Sequence, residues 1–366
     1  MNLSFSFIIP VYDRPDEIRE LLNSLAQQTY PETFGIVVIE DGSTVSSEQI
    51  VTDFKQKYSK ENDRLFITYL TKPNSGPGRS RNYGMARARG DYFIILDSDC
   101  IVPPRYLETV AGSLKEYFVH CYGGPDAAHA SFSLVQKAIN YAMTAILTTG
   151  GIRGGNWRKG KGSEFADTKR YETDHRRGGF QPRSFNMGLS KSAFEATGGF
   201  GNIHPGEDPD LVFRLWRKGY STRLISEAFV YHKRRIDWRK FYVQVKKFGM
   251  VRPILNRRYP KTAKITYWFP TFFCLGLLVA LVFWYVGIVL PIALFAMYFG
   301  LIFLDSLIRN RSLSIAILSL VAVSIQFIGY GYGFLKSAIF VTFSKKNPEE
   351  LFPQLFFKNP HPETAV

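Results

Sequence analysis

Two aspartates, Asp97 and Asp99, follow an apolar run of five residues and are separated by a single serine. A short apolar run is typical of a fully buried strand, and since Asp is a poor strand residue the strand is predicted to end at Asp97. Carboxylates this close repel one another unless a cation neutralises them, and their oxygens suit Mg²⁺ or Mn²⁺. The pattern predicts a metal site at a strand end, with a solvated turn as the alternative.

The elements that would position these aspartates alternate between strand and helix. Alternation of this kind implies parallel pairing with right-handed crossovers, so the first hundred residues are predicted to form half of a doubly wound, mostly parallel, Rossmann-like α/β sheet. The strands are predicted at 4–11, 34–40, 65–70 and 91–97, and the helices at 15–28, 50–58 and 79–89.

Other polar side chains follow the same strands. Asp13 comes after the first strand and Asp41 after the second, while Arg79, Arg81 and Asn82 lie on the helix that leads into the fourth. The carboxyl ends of parallel strands meet at one crevice, where open α/β sheets bind ligands. Together the residues indicate a nucleotide site in which carboxylates contact the sugar or base and a metal carries the phosphates. Taken singly, Asp13 and Asp41 are also consistent with helix capping and a turn.

The middle of the chain contains a long basic loop. Residues 150–183 are rich in Gly, Arg and Lys and exceed the usual loop length, which favours a functional lid or a solvated segment. The cations of 153–183 would suit a pyrophosphate on a donor or on a lipid-linked acceptor. Further elements are predicted at 103–117, 130–149, 185–190, 208–218, 222–225, 228–232 and 237–249.

The last hundred residues are strongly apolar. Segments 268–290, 291–304 and 313–335 are predicted to form two or three membrane spans, the third either crossing or re-entrant. The basic stretch 233–264, with Arg309 and Arg311, predicts a cytoplasmic catalytic part at an inner membrane. The predicted division is 1–235 catalytic, 236–266 interfacial helices, 267–341 transmembrane and 342–366 tail.

Composition limits the partners. Lys and Arg number 46 against 31 Asp and Glu, a net charge of +15, which suggests nucleic acid, anionic lipid or phosphorylated substrates. No zinc-finger or RRM pattern occurs, so no nucleic-acid partner is expected. Three scattered cysteines fit neither a disulfide framework nor a zinc site. No charged region precedes an apolar core at the start, which predicts no cleaved signal peptide.

Five motifs in order resemble those of family 2 glycosyltransferases, inverting enzymes with the nucleotide-diphosphosugar (A-type) transferase fold. They are FIIPVY at 7–12, IEDGS at 39–43, SRNYG at 80–84, GDYFIILDSD at 90–99 and GEDPDL at 206–211, so the resemblance covers roughly residues 4–235. Members that build exopolysaccharides or glycolipids are similar in also having carboxyl-terminal spans.

The resemblance implies roles residue by residue. Asp208, beside Glu207, would be the general base that takes the acceptor hydroxyl proton; helix capping is the alternative for Asp208. Asp97, Asp99 and His232 would hold Mn²⁺ or Mg²⁺, although a lone histidine here is as often structural. The implied donor-binding residues are Pro10, Tyr12, Asp13, Asp41, Arg79, Arg81, Asn82, Asp97 and Ser98; the implied acceptor-binding residues are Asn186, Gly188, Lys247 and Phe248.

The resemblance to processive synthases is incomplete at 244–248, where Lys247 and Phe248 replace their Arg and Trp. An amphipathic interface helix is the favoured interpretation of this segment, so processivity is not predicted.

The sequence thus predicts a membrane-bound inverting glycosyltransferase that uses a nucleotide-diphosphate sugar and a lipid-linked or membrane-delivered acceptor. Alternatives are a nucleotidyltransferase on a related fold and a non-catalytic transport or scaffold protein. The first lacks the glycine- and arginine-rich phosphate loop expected after strand one. The second lacks buried charges in its spans, apart from Asp305. The sugar, the acceptor and the oligomeric state are not specified by these residues.

Overall fold

The computed structural model describes residues 3–58, 64–127, 132–149, 180–233 and 237–357. The chain divides into two compact units. The first comprises 1–127, 161–232 and 356–366, and the second comprises 128–160 and 233–355. The break between the units at 232–233 lies near the predicted boundary at 235, and residues 356 and 357 of the predicted tail belong to the first unit. The predicted division into catalytic, interfacial, transmembrane and tail segments stays a prediction. Most of the predicted basic loop, up to residue 179, lies outside the described residues.

The strands of the described residues all lie in the first unit. They are β1 (Phe5–Val11), β2 (Phe34–Asp41), β3 (Leu65–Lys72), β4 (Tyr92–Leu96), β5 (Cys100–Ile101), β6 (Cys121–Gly123), β7 (Asp126–Ala127), β8 (Asn186–Ser190), β9 (Thr222–Leu224) and β10 (Val230–His232).

The helices follow in chain order through both units. They are α1 (Pro15–Ala26), α2 (Glu48–Tyr58), α3 (Pro77–Met85), α4 (Tyr106–Glu116), α5 (Leu134–Thr144), α6 (Ile146–Thr149), α7 (Lys191–Thr197), α8 (Glu207–Arg217), α9 (Trp238–Arg258), α10 (Phe269–Tyr285), α11 (Leu290–Asn310), α12 (Leu313–Phe343) and α13 (Pro348–Leu351), with short 3₁₀ turns at Pro260–Thr262, Ile265–Trp268 and Pro353–Leu355.

The main sheet has the strand order β3-β2-β1-β4-β8-β6-β9. The pairs β3–β2, β2–β1 and β1–β4 are parallel, whereas β8 runs antiparallel to both of its neighbours. The predicted mostly parallel α/β sheet is thus confirmed. A small second sheet, β5-β10-β7, places His232 opposite Cys100.

The sheet is buried on both faces, which explains why β1 and β4 are apolar runs instead of alternating ones. Phe7 and Ile94 point into one hydrophobic cluster, while Ile8 and Phe93 point into the other. On the first face, α1 buries Ile18, Leu21, Leu22 and Leu25, which recur at helical spacing. This double cover fixes the strands, so their carboxyl ends are rigid supports for the polar residues that follow.

The second unit is helical, and α9 and α12 approach one another closely. A Cβ at Gly249 would collide with the Tyr330 carbonyl oxygen, and one at Gly333 with the Lys246 carbonyl oxygen. Only glycine permits this backbone separation. The Tyr141 hydroxyl on α5 donates to Asp305 on α11 at 2.8 Å, so the predicted buried charge has a partner inside the unit.

Three helices of the described residues are long and apolar enough to cross a membrane: Ile265–Tyr285, Leu290–Asn310 and Leu313–Phe343. The third is eight residues longer at its carboxyl end than the predicted segment 313–335. Many large apolar side chains on α10 and α11 are exposed, including Val282, Trp284, Tyr285 and Leu290. An exposed apolar surface of this extent is typical of contact with lipid.

Candidate active site

The carboxylates that follow β4 are held by two arginines. Asp97 Oδ1 accepts from Arg81 Nη2 at 2.7 Å, and Asp99 Oδ2 accepts from Arg14 Nη1. Asp97 is partly exposed, whereas Asp99 is buried. The two side chains therefore do not form the solvated turn that an isolated Asp-x-Asp allows.

His232 lies at the same place because β10 pairs with β5. Its Nε2 is 3.1 Å from Asp99 Oδ1 and 3.9 Å from Asp97 Oδ2, and its ring stacks on Phe185 with the centroids 5.1 Å apart. Burial alone would raise the pKa of Asp99, but His232 and Arg14 outweigh it and hold that pKa well below its usual range. Asp99 is consequently a carboxylate at every physiological pH.

The donor set fits a hard divalent cation. Asp99 Oδ1 is buried and faces His232 Nε2 at 3.1 Å, so these two atoms are close enough to share a cation. Asp99, Cys100 and His232 together could hold a metal ion. Burial raises the pKa of the Cys100 thiol well above its usual range, and its Sγ donates to the Phe185 carbonyl at 3.5 Å. The protonated thiol is a poor ligand, which leaves carboxylate oxygen and imidazole nitrogen, ligands compatible with Mn²⁺ or Mg²⁺.

Arg81 connects this carboxylate end to a second acidic pair. Besides Asp97, its guanidinium donates to Glu207 Oε1 through Nη1 at 3.2 Å, and it lies over the Phe200 ring at 5.2 Å. Burial of Arg81 opposes its charge, but Asp97 and Glu207 outweigh that effect and raise its pKa. The Arg81 guanidinium, which stays charged, therefore links the carboxylates after β4 to the start of α8.

Glu207 and Asp208 begin α8 but do not cap it. The N-cap is Gly206, with φ +116°, and no side chain makes the cap hydrogen bond. The capping alternative for Asp208 thus has no support. Glu207 Oε1 also contacts His204 Nδ1 at 3.0 Å, so Glu207 is held from two sides.

The environments of the two carboxylates push their pKa values apart. Burial, and then the negative charge of Glu207, raises the pKa of Asp208 to about 6, against the opposing charge of Arg81. Burial would raise the pKa of Glu207 too, but His204 and Arg81 lower it. Asp208 Oδ1 has no hydrogen-bond partner among the described residues. When the pKa values of two neighbouring carboxyl groups differ, the group with the higher value can exchange a proton near neutral pH. Here that group is Asp208.

Asp41 organises the loop that leads into α3. Its Oδ1 accepts from the Ser75 amide and its Oδ2 from the Gly76 amide, both at 3.0 Å, and Lys72 forms an ion pair with Oδ1. Gly76 has φ +88° and caps α3, with Pro77 at the first helical position. The loop from Pro73 to Gly76, here named the donor loop, is thereby fixed beside the carboxyl end of β2.

The residues that follow β1 contact the loop that follows the neighbouring strand β2. Asp13 has φ +50°, and its Oδ1 accepts from the amides of Thr44 at 2.6 Å and Val45 at 3.0 Å. Pro10 pairs with Ile39 in the sheet, and Tyr12 is 52% exposed, so its ring is accessible to a ligand.

Asn82 joins α3 to the loop in front of α8. Its amide donates to the Phe200 carbonyl at 2.9 Å and accepts from the Phe200 amide at 2.8 Å. Ser98 is buried between the two aspartates, and Arg79 is partly exposed on α3.

The structure does not place Asn186 and Gly188 where an acceptor could reach them, and this corrects their implied role. Asn186 is fully buried; it accepts from the Tyr106 hydroxyl at 2.6 Å and donates to the Ala228 carbonyl at 2.8 Å. A Cβ at Gly188 would collide with the Tyr122 ring. Both residues support the sheet.

Lys247 and Phe248 lie on α9 in the second unit, and Phe248 packs on that unit's own hydrophobic cluster. This packing agrees with an amphipathic helix, the interpretation favoured for this segment.

Three contacts of the site involve residues that the motifs did not single out: Arg14, Lys72 and His204. Arg14 directly follows Asp13 after β1, and Lys72 is the last residue of β3, so a search for cations at strand ends would have found both. His204 precedes Glu207 by three residues, but its direction depends on the loop around it.

Comparison with known proteins agrees with this architecture. The profile of Glycosyl transferase family 2 matches residues 6–187, and that of Glycosyl transferase family group 2 matches residues 184–307. Poly(ribitol-phosphate) beta-N-acetylglucosaminyltransferase TarS of Staphylococcus aureus is 35% identical over 116 residues, 31% of this chain and 19% of the relative. Poly(ribitol-phosphate) beta-glucosyltransferase of Bacillus spizizenii is 38% identical over 98 residues, 26% of this chain and 15% of the relative. This chain thus matches less than a fifth of each of those two relatives' lengths.

A solved structure shares the fold over most of the chain. Mannosyltransferase PcManGT from Pyrobaculum calidifontis, in complex with GDP-Man and Mn²⁺, is similar with a TM-score of 0.53 and 14% identity, over 94% of this chain and 89% of that one. That similarity shows the fold. The two profiles together match residues 6–307, and on that ground the chain belongs to glycosyl transferase family 2.

Proposed function

We propose that the protein transfers a sugar from a nucleotide-diphosphate donor to an acceptor delivered at a membrane, with inversion at the anomeric carbon. The carrying observation is the chain of contacts from Asp99 and His232 through Asp97 and Arg81 to the acidic pair that begins α8. This arrangement supplies a cation site for a diphosphate and a proton acceptor at its side. We retain Asp208 as the general base, with Glu207 as its electrostatic neighbour.

The donor would lie along the carboxyl ends of β1, β2 and β4. Asp41 and Asp13 fix the backbone there and would face the nucleoside, and the exposed Tyr12 ring would contact it. Arg79, Arg81 and Asn82 on α3, with Ser98, would surround the phosphates or sugar. A divalent ion held by Asp97, Asp99 and His232 would stabilise the charge that develops on the departing diphosphate.

The relatives support this assignment. Two are named for transfer of N-acetylglucosamine or glucose to poly(ribitol-phosphate), and PcManGT binds GDP-Man with Mn²⁺. A phosphate-containing or lipid-linked acceptor is consistent with the net charge of +15. The three long apolar helices support association with a membrane. We place the protein at the cytoplasmic face of an inner membrane because of the basic stretch 233–264 with Arg309 and Arg311.

The first test is donor turnover. The full chain in detergent with Mn²⁺ and a panel of nucleotide sugars is expected to release nucleoside diphosphate from one or a few of them, faster when membrane extract supplies acceptor. Product mass would identify the transferred sugar. No release above the metal-only blank for any donor, with or without extract, would contradict the proposed function.

The pH dependence of transfer should report Asp208. Because its raised pKa of about 6 leaves it protonated in acid, kcat/KM is expected to fall about tenfold per pH unit below 6 and to level off above 7. The control is donor Kd measured over the same pH range. A parallel change in Kd would mean that the inflection in kcat/KM reports donor binding and not the base. A flat profile between pH 5 and 8 would rule against a base with this pKa.

A further inference from the structure

The chain leaves the catalytic unit at His232 and returns to it at residues 356 and 357. Phe356 forms an isolated antiparallel bridge with Ile203, and the Phe357 amide donates to the Asn202 carbonyl at 3.0 Å. Chain ends are poorly ordered unless specific contacts hold them, and here backbone hydrogen bonding provides such contacts. The returning residues, Phe356 and Phe357, are named the tail strand.

The tail strand presents one aromatic ring to two parts of the site. The Phe357 ring lies 5.9 Å from the His204 ring, centroid to centroid. The ring also lies so close to Gly76 that a Cβ there would collide with it. Gly76 belongs to the donor loop, and His204 belongs to the loop in front of α8. The ring therefore contacts both loops.

Both partners of the ring are linked directly to functional carboxylates. The Gly76 amide donates to Asp41 Oδ2 at 3.0 Å. His204 Nδ1 lies 3.0 Å from Glu207 Oε1, and Glu207 is adjacent to Asp208. The His204 side chain is 40% exposed, and the Phe357 ring is one of the groups that lie against it.

Resting on the proposed function, we propose that Phe357 is a positioning residue for the sugar transfer: it holds His204 against Glu207 and so sets the place of Asp208 relative to the donor loop. The Phe357 ring can offer only apolar contacts, so the proposed role involves no contact with a reacting atom. Misplacement of a reactive group by about 1 Å can lower a reaction rate by about 100-fold. The loss of one supporting ring should cause a smaller decrease in the rate of sugar transfer.

The kinetic test compares Phe357→Ala with Phe66→Ala in the full chain. Phe66 lies on β3 of the same unit and is 54% exposed, so it controls for removal of a phenyl ring. Phe357→Ala is expected to lower kcat about tenfold, with donor KM and the melting temperature nearly unchanged, and Phe357→Tyr should restore kcat because it keeps the ring. An unchanged kcat in Phe357→Ala, or a fall explained by an equal loss of folded protein, would overturn the proposal.

An activity-independent readout separates this proposal from the proposed function. Diethyl pyrocarbonate modification of His204, followed by peptide mass spectrometry, should be several-fold faster in Phe357→Ala than in the parent and unchanged in Phe66→Ala. Equal rates in all three proteins would show that the ring does not restrain His204. If the parent transferred no sugar yet His204 became more reactive in Phe357→Ala, the proposed function would fail while the contact stood.

Discussion

Replacing Asp208 with asparagine is expected to lower kcat for sugar transfer by about 10²–10⁴-fold while donor Kd stays within about twofold. Asparagine keeps the shape of the side chain but cannot accept the acceptor hydroxyl proton. The carboxylate is suited to this task because burial and Glu207 raise its pKa to about 6, while Arg81 keeps the charged form accessible. Initial rates with a matched donor and acceptor, and isothermal titration of the donor, measure the two quantities.

Asp53→Asn is the matched control, since Asp53 is an exposed carboxylate on α2 of the same unit. The melting temperature provides a second check with a definite sign. The pKa of Asp208 is higher in the folded state than in the unfolded state. The protonated Asp208 side chain therefore stabilises the folded protein at pH values below its unfolded pKa, and this contribution is lost as the pH rises through 6. Asp208→Asn should therefore be at least as stable as the parent at pH 8. Loss of donor binding in this variant would remove Asp208 from the base role.

Asp99→Asn is expected to lower Mn²⁺ affinity by more than about 100-fold, and metal-dependent transfer with it. Loss of an outer-sphere partner already lowers metal affinity by about 10–100-fold, so loss of a direct ligand should exceed that. The variant would also remove the negative charge that Arg14 and His232 face at Asp99. Electron paramagnetic resonance of free Mn²⁺ measures the affinity without any turnover.

The His232→Ala variant tests whether His232 binds the metal or only lies beside the residues that do. If His232 binds the metal, raising the Mn²⁺ concentration should restore part of the transfer rate in His232→Ala but not in Asp99→Asn. The Asp53→Asn protein should match the parent throughout. An unaltered Mn²⁺ titration in Asp99→Asn would mean that the metal, if one is used, binds elsewhere.

The central sheet could be predicted from the sequence because its signal is local. Buried strands such as β1 and β4 are apolar throughout, and the polar residues that end them must lie at one edge of a parallel sheet. Asp41, Asp97 and Asp99 were found in this way. The same logic brought Arg81 into the site, because the helix that carries it leads directly into β4.

Contacts that depend on distant pairing could not be predicted from local sequence patterns, and only the family resemblance implied that His232 lies with the two aspartates. His232 reaches Asp99 only because β10 pairs with β5, two strands of three and two residues with no strong sequence pattern. Asn186 matched a motif position, yet its surroundings, Tyr106 and Ala228, come from other parts of the chain and bury it. Sequence position assigned it to a strand but could not decide which environment the side chain would meet.

The return of the tail strand also limits how the intervening chain can pass a bilayer. Residues 232 and 356 belong to the same compact unit. If that unit lies on one side of a membrane and the helices between these residues cross it, the number of crossings must be even. Under that condition the third predicted span would be the re-entrant alternative. In α12, 39% of the apolar window is buried inside the protein, against 11% in each of the other two helices.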